Sequence, residues 1–270
     1  MLDASGIAAV ESIVRRTADE VVVPLFGALA AGDIEEKAPG DLVTIADRRS
    51  EEFLSRELTR LVPGSRVVGE EATFASPDVL DLLEGPDPVW VIDPVDGTEA
   101  FASGSPRFSI LVALVQGGEL LASWTYAPLL QFMATATADG PALVNGEQVR
   151  VAKAPGGLRH LDVLLPRPNW WVEEHRAKFN RLFAQGVSSS FFDYSGINYV
   201  DLAAGRRTAM LLPWDLPWDH AAGVLLHASA GGVLIDMEGS PYKVAQGNAL
   251  PMIAAPDRET ALMIRDGLNG

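Results

Sequence analysis

Two carboxylates three positions apart, Asp93 and Asp96, follow an apolar run in the stretch Trp90-Val91-Ile92-Asp93-Pro94-Val95-Asp96-Gly97-Thr98-Glu99. The run Val89 to Ile92 is rich in β-branched residues and reads as a buried strand, so polar groups at its end are held in place. Pro94 fixes φ between the two acids and removes a backbone donor, leaving carbonyls free to face something other than a ladder. Gly97 allows a tight turn or a close approach to a ligand. Asp96 with Glu99 three residues on has the pattern of a helix N-cap and predicts a helix from Gly97. The Gly97 and Thr98 N–H groups would then sit unpaired at a helix N-terminus, where anions bind. Carboxylates beside an anion repel it unless a cation lies between, so the stretch points to a divalent metal that receives a phosphate. It is not an EF-hand loop, which needs oxygen ligands first, third and fifth with Gly sixth; here the acids stand first and fourth with Gly fifth. D-x-x-D alone favours a capped helix with Asp93 solvated at a turn, whereas the whole D-P-V-D-G-T run favours the metal.

Three further segments stand in a fixed order around it. Asp41-Leu42-Val43-Thr44-Ile45-Ala46-Asp47 and Gly69-Glu70-Glu71 lie upstream; Trp218-Asp219-His220-Ala221-Ala222-Gly223, running on to Ala230-Gly231-Gly232, lies downstream. Together the four segments span nearly the whole chain and resemble the signature of the inositol monophosphatase family, Mg²⁺-dependent and often lithium-sensitive phosphomonoesterases. The resemblance implies two Mg²⁺ ions, the first held by Glu70, Asp93 and the Val95 carbonyl, the second by Asp93, Asp96 and Asp219, with a third, weaker site at Glu70. It also implies a water activated by the first metal, oriented and deprotonated by Thr98 with Asp47, so that Glu70, Thr98 and Asp47 form the catalytic set. The phosphate would be held at Asp96, Gly97, Thr98 and Asp219, and the products would be an alcohol and inorganic phosphate. The implied fold, in α+β / α/β terms, is a layered αβαβα sandwich of the sugar-phosphatase type. The implied assembly is a homodimer.

Several of these residues have a second reading. Asp47 is placed to cap the helix it opens, and both roles can hold. Asp219 also stands at a helix start, where capping competes with metal binding. Glu71 reads as a supporting or surface acid, and Thr44 as a turn residue. His220 and His227, seven apart on one helix, make no metal-ligand spacing and read as structural or surface. Family members selective for inositol phosphate commonly carry a glutamate seven residues before the second-half aspartate; here that position is Leu212, with Asp215 nearby as a substitute acceptor. Glu99-Ala100 and the following Phe101-Ala102-Ser103-Gly104 look somewhat like the histidinol-phosphate phosphatase branch, so a histidinol-phosphate, sugar or nucleotide phosphatase is the alternative substrate reading. The alternative of another class is a non-catalytic binding or regulatory module on the same fold. The intact set Glu70, Asp93, Asp96, Thr98 and Asp219 argues for the enzyme.

The elements that must position these groups follow from pattern. At 270 residues with 48% hydrophobic residues the chain supports a large core. A net charge of −15 argues against nucleic acid and against an anionic membrane surface. The small-molecule phosphate ester that the resemblance implies as partner is not attracted by this charge, so bound cations would have to reverse the local field. With no cysteine, disulfides and thiolate chemistry are excluded. No basic-then-apolar leader and no spanning run is seen, so the cytoplasm is the expected location. Apolar spacing predicts a helix over 2–31 interrupted at Pro24, a loop over 33–40, a helix over 47–61 and a strand over 66–69. Strands follow at 108–115, 119–126 and 131–137, the first pair joined by a hairpin. The remainder alternates: strands near 161–165, 187–192, 208–212, 233–235 and 252–255, helices near 170–184, 197–205, 219–230 and 258–268. Ala154-Pro155-Gly156-Gly157 is the expected boundary between an N-terminal α+β half, 1–153, and a C-terminal α/β half, 154–270, that supplies Asp219.

Overall fold

The computed structural model describes residues 2–38, 41–154, 156–168, 171–192 and 194–270, and in it helices and two main sheets stack in layers. The element order begins α1 (Ala4–Thr17), β1 (Ile34–Ala38), β2 (Asp41–Thr44), α2 (Ile45–Leu61), β3 (Arg66–Gly69), α3 (Glu70–Ala75), β4 (Val89–Asp96) and α4 (Thr98–Ala102). It continues with β5 (Ser109–Gln116), β6 (Glu119–Ala127), β7 (Phe132–Thr137), β8 (Leu143–Val144), β9 (Glu147–Gln148), β10 (Asp162–Pro166) and α5 (Glu173–Ala184). The last elements are β11 (Ser188–Phe192), α6 (Ser195–Ala203), β12 (Ala209–Leu212), α7 (Pro217–Ser229), β13 (Val233–Ile235), β14 (Met252–Ala255) and α8 (Arg258–Asn269).

On the large sheet, ordered β3-β4-β5-β6-β7-β8-β9, Trp90, Ile92, Ile110, Val112 and Leu114 pack against Val10 and Val14 of α1 and Leu54 and Leu58 of α2. Their neighbours Val89, Val91, Leu111, Ala113 and Val115 face the other way, onto Ala221 and Ala222 of α7. Each face is dry because side chains alternate along a strand. Truncating a fully buried ring such as Trp90 to Ala would cost about 3–5 kcal/mol. Helices α6 and α7 turn their opposite sides to Leu164, Met210, Leu212 and Ala254 of the smaller sheet, ordered β11-β10-β12-β14-β13. That sheet's far face covers Phe179 and Leu182 of α5 and Ile264 and Leu268 of α8. The layers are thus α1/α2, large sheet, α6/α7, small sheet, α5/α8: the αβαβα sandwich expected. The large sheet draws its strands from 66–148 and the small one from 162–255.

Several local expectations are corrected. Residues 34–38 are strand β1 rather than loop, paired antiparallel with β2; a run of charged residues can form a strand when a partner supplies its ladder. The first helix ends at Thr17, widens into a π turn at Ala18–Val22 and then tightens into a 3₁₀ turn at Val23–Leu25, where Pro24 removes a donor. Strand β4 does not stop at Ile92 but runs to Asp96. The cap of α4 is Gly97, at φ +96°, with no side-chain cap bond, so Asp96 does not cap that helix. A Cβ at Gly97 would come within 3.0 Å of Tyr194 and 3.1 Å of the Arg107 carbonyl, which adds a steric demand to the left-handed one. In the Trp170-Trp171 pair, Trp170 lies outside the described residues, while Trp171 stacks edge-on with Phe179 at 4.9 Å.

Candidate metal centre

Strict alternation would put two residues an odd number apart on opposite faces of β4. Asp93 pairs with Leu111 and Asp96 with Ser109, so three steps on β4 match two on β5. The extra residue is a β-bulge, and Pro94 inside it has no N–H for the ladder to lose. The bulge restores parity: Asp93 and Asp96 point to the same side, toward the α6/α7 layer. Both are buried, at 2% and 5% exposure. Asp219 meets them from the first turn of α7. Oxygens of Asp93, Asp96 and Asp219 lie within 4.8 Å of one another.

Each of the three is fixed differently. Asp96 accepts from Ser109 Oγ at 2.9 Å, from the Ser195 and Gly196 backbone N–H groups at 3.1 and 3.0 Å, and from Ser195 Oγ at 3.3 Å. It therefore sits on the N-terminus of α6, where N–H groups need acceptors. A Cβ on Gly196 would come within 2.9 Å of the Asp96 carboxylate and 2.6 Å of Leu111, so this seat requires glycine. Asp219 does not cap α7; Leu216 is the cap residue, and the Asp219 carboxylate accepts from Trp214 Nε1 at 2.6 Å. Ser195 Oγ also donates to the Asp219 carbonyl at 2.7 Å, tying the starts of α6 and α7 together. Among the described residues Asp93 has a local contact only, accepting from the Val95 N–H at 3.1 Å.

Glu70 lines the same cavity but is engaged by a residue the sequence reading passed over. Lys37 Nζ, on β1, donates to Glu70 at 2.6 Å and to Glu71 at 2.9 Å. Glu71 is thus a supporting acid, as expected. Glu51, from the middle of α2, accepts from the Glu71 and Ala72 N–H groups at 2.8 and 2.9 Å and holds the start of α3. Thr44 is the N-cap of α2 and Asp47 closes its capping box from the third position. Asp47 also accepts from Thr98 Oγ1 at 3.0 Å; it is a capping residue and a partner of Thr98 together. Thr98 Oγ1 lies 3.1 Å from the Val95 carbonyl as well.

Gathering acids in a dry place raises their affinity for protons. Burial pushes Glu70 up to about 8, against the pull of Lys37, with Asp219 and Asp47 adding to the rise. Burial, then Glu70, Asp96 and Asp219, hold Asp93 well above the usual carboxylate range. Asp96 is raised by burial and moderated by its Ser109, Gly196 and Ser195 bonds. Burial lifts Asp47 to about 6 and Glu51 to about 7. An all-oxygen donor set whose charges lack compensation suits a hard divalent cation such as Mg²⁺.

Above the acids lies a cavity of about 510 Å³, within the usual span of small-molecule sites. Gly97, Thr98 and all four acids line it. Leu212 is core. Asp215 does not take the place of a ring-hydroxyl acceptor: both its oxygens accept from Asn248, at 2.8 and 3.0 Å. His220 is buried, bonded to the Trp214 carbonyl at 3.0 Å, and held down to about 3 by burial, so it is neutral and structural. His227 is likewise buried, with Nε2 2.9 Å from the Ala255 carbonyl. Sequence reasoning missed Lys37, Glu51, Ser109, Ser195, Gly196 and Trp214; all but Trp214, five residues before Asp219, are more than ten residues from the group they hold.

The inositol monophosphatase family profile matches residues 4–266. The chain belongs to the inositol monophosphatase family. Members of that family are phosphoric monoester hydrolases. An inositol monophosphatase of Dictyostelium discoideum is 32% identical over 214 residues, 76% of each chain. Nus factor SuhB of Pseudomonas aeruginosa is 29% identical over 244 residues, 86% of each chain. The solved inositol monophosphatase of Thermotoga maritima superposes with a TM-score of 0.78 at 25% identity, covering 96% of this chain and 94% of that one.

Proposed function

We propose that the protein is a Mg²⁺-dependent phosphomonoesterase of small-molecule phosphate esters. The observation that carries this is the convergence of Asp93, Asp96 and Asp219 on one point beneath a cavity that also holds Glu70 and Thr98. Glu70, Asp93 and the Val95 carbonyl would hold one ion and Asp93, Asp96 and Asp219 a second, with a third at Glu70. When bound, such ions neutralise phosphate charge and acidify water. The chain's own groups do the rest. Gly97 and Thr98, beside Asp96 and Asp219, seat the phosphate at the start of α4. An attacking water passes its proton to Thr98 Oγ1 as Thr98 passes its own to Asp47 Oδ1. Asp47, lifted to about 6 by burial, is suited to proton exchange near neutrality. The water oxygen bonds to phosphorus, the bond from phosphorus to the alcohol oxygen breaks, and that oxygen is protonated by solvent. No enzyme side chain becomes covalently attached.

A purely regulatory module, the reading suggested by the SuhB name, has no need of this assembled set. Among the described residues no helix is long and apolar enough to cross a membrane. The family likeness supports a cytoplasmic homodimer as part of the proposal. The test is phosphate release from a panel of esters with and without Mg²⁺, with lithium as a challenge. Metal-dependent, lithium-sensitive release supports the proposal; Mg²⁺ binding without release from any ester supports the module.

A further inference from the structure

The acids occupy only the floor of the cavity. Its upper wall is apolar and aromatic: Phe74, Leu80, Phe192, Trp214, Leu216 and Trp218. Phe74 is 60% exposed and Leu216 37%, on separate elements, and both face this one opening. Large apolar side chains left uncovered beside a polar site mark a surface meant to be covered by a ligand. The acceptors that the sequence offered for a polyol lie in the core or are engaged elsewhere. Leu212 lies in the core, Asp215 is satisfied by Asn248, and Trp214 Nε1 donates to Asp219. Besides the acids and Thr98, the polar side chains lining the cavity are Lys37, Thr73, Glu99, Tyr194, Ser195 and Gln246. Of these, Lys37, Thr73, Ser195 and Gln246 already donate to Glu70, the Gly69 carbonyl, Asp96 and the Asp215 carbonyl, which leaves few partners for a ring of hydroxyls. A ring of several hydroxyls pressed on this wall would lose water without gaining partners, whereas a flat ring would cover aromatic and apolar faces.

We propose that the leaving alcohol carries a flat aromatic or heteroaromatic ring, which packs on the apolar lining that includes Phe74, Phe192, Trp214 and Leu216. This rests on the phosphatase reading of the same site. The phosphate would lie on the acidic floor and the ring in the apolar upper half, so a single ester fills the cavity.

The experiment compares kcat/KM, in Mg²⁺, for adenosine 3′-phosphate, histidinol phosphate and 2-phenylethyl phosphate against inositol 1-phosphate and glycerol 2-phosphate. At least one ring-bearing ester is expected to exceed both polyol esters by roughly tenfold or more, the scale of apolar-pocket discrimination. In Phe74→Ser and Leu216→Ser, at exposed positions where folding is not at stake, the ratio of ring-bearing to glycerol ester should fall by several-fold. Polyol esters used as well as or better than every ring-bearing ester would overturn the inference and leave the phosphatase reading standing. Ratios unmoved in both variants would overturn the placement of the ring. No release from any ester overturns the phosphatase reading, and this inference with it.

Discussion

The floor of the cavity is built from charged groups that repel one another, whereas the helix starts around it are built from groups that satisfy one another. Asp93 shows the first case and Asp96 the second, only three residues away. Asp93 is buried, has a local backbone contact, and is raised by four other acids, Glu70, Asp96, Asp219 and Asp47. Asp96 is equally buried but receives donors from β5 and from the start of α6. The same residue type on the same strand is therefore strained in one place and seated in the other. The contrast separates what the chain keeps for a cation from what it keeps for its own stability.

The sharpest way to break this comparison is a pair of isosteric substitutions. Asp93→Asn should abolish nearly all phosphatase activity yet raise the melting temperature of the metal-free protein, because it removes a buried repulsive charge. Asp96→Asn should also abolish activity but lower the melting temperature, since an amide NH₂ would meet donors from Ser109, Ser195 and Gly196. The scale of the loss is about 1–3 kcal/mol for a buried donor left unpaired. Equal shifts of the same sign in both variants would remove the distinction.

Next in size is Thr98→Ala. Loss of the hydroxyl that connects to Asp47 should lower kcat about 10²–10⁴-fold, the range of general acid–base contributions, with a smaller change in KM. A kcat within a factor of two of wild type would exclude the Thr98–Asp47 relay.

The pH dependence of stability sharpens the same contrast. Glu70 and Glu51 are raised from 4.5 to about 8 and about 7, and Asp47 from 3.8 to about 6. Between the unfolded and folded values the native state binds more protons than the unfolded one, so stability falls as pH rises. Metal-free protein should lose stability progressively from about pH 4.5 to pH 8, and Mg²⁺ should flatten that slope by compensating the ionised acids. A metal-free melting temperature that climbs across this window would contradict the assignment.

The smallest effect concerns Lys37, whose ammonium stands where a cation would compensate Glu70. Lys37→Met should tighten Mg²⁺ binding by a few-fold in calorimetry, on the order of 1 kcal/mol for one charge pair. Weaker binding in the variant would mean that Lys37 supports the metal rather than competing with it.

The four segments that carry the acids could be read directly in the chain because their chemistry is local: residue type, spacing and a neighbouring apolar strand. The layered sandwich followed from the family resemblance, and the strand and helix order from periodicity. What could not be read was whatever depends on a partner strand or a distant helix. The bulge at Pro94 is invisible until β5 gives the register, so Asp96 looked like a helix cap when it is the last residue of a strand. Residues 34–38, charged and without alternation, gave no strand signal until β2 paired with them, and Lys37 was passed over with them. Ser195 and Gly196 meet Asp96 across about a hundred residues. Glu51 looks in sequence like any polar residue on a helix.

The most direct test of the central claim is anomalous scattering from crystals soaked in Mn²⁺ as a Mg²⁺ surrogate. The account predicts a peak at coordinating distance from Asp93, Asp96 and Asp219 together. A peak elsewhere, or none among these three carboxylates at saturating Mn²⁺, would contradict it.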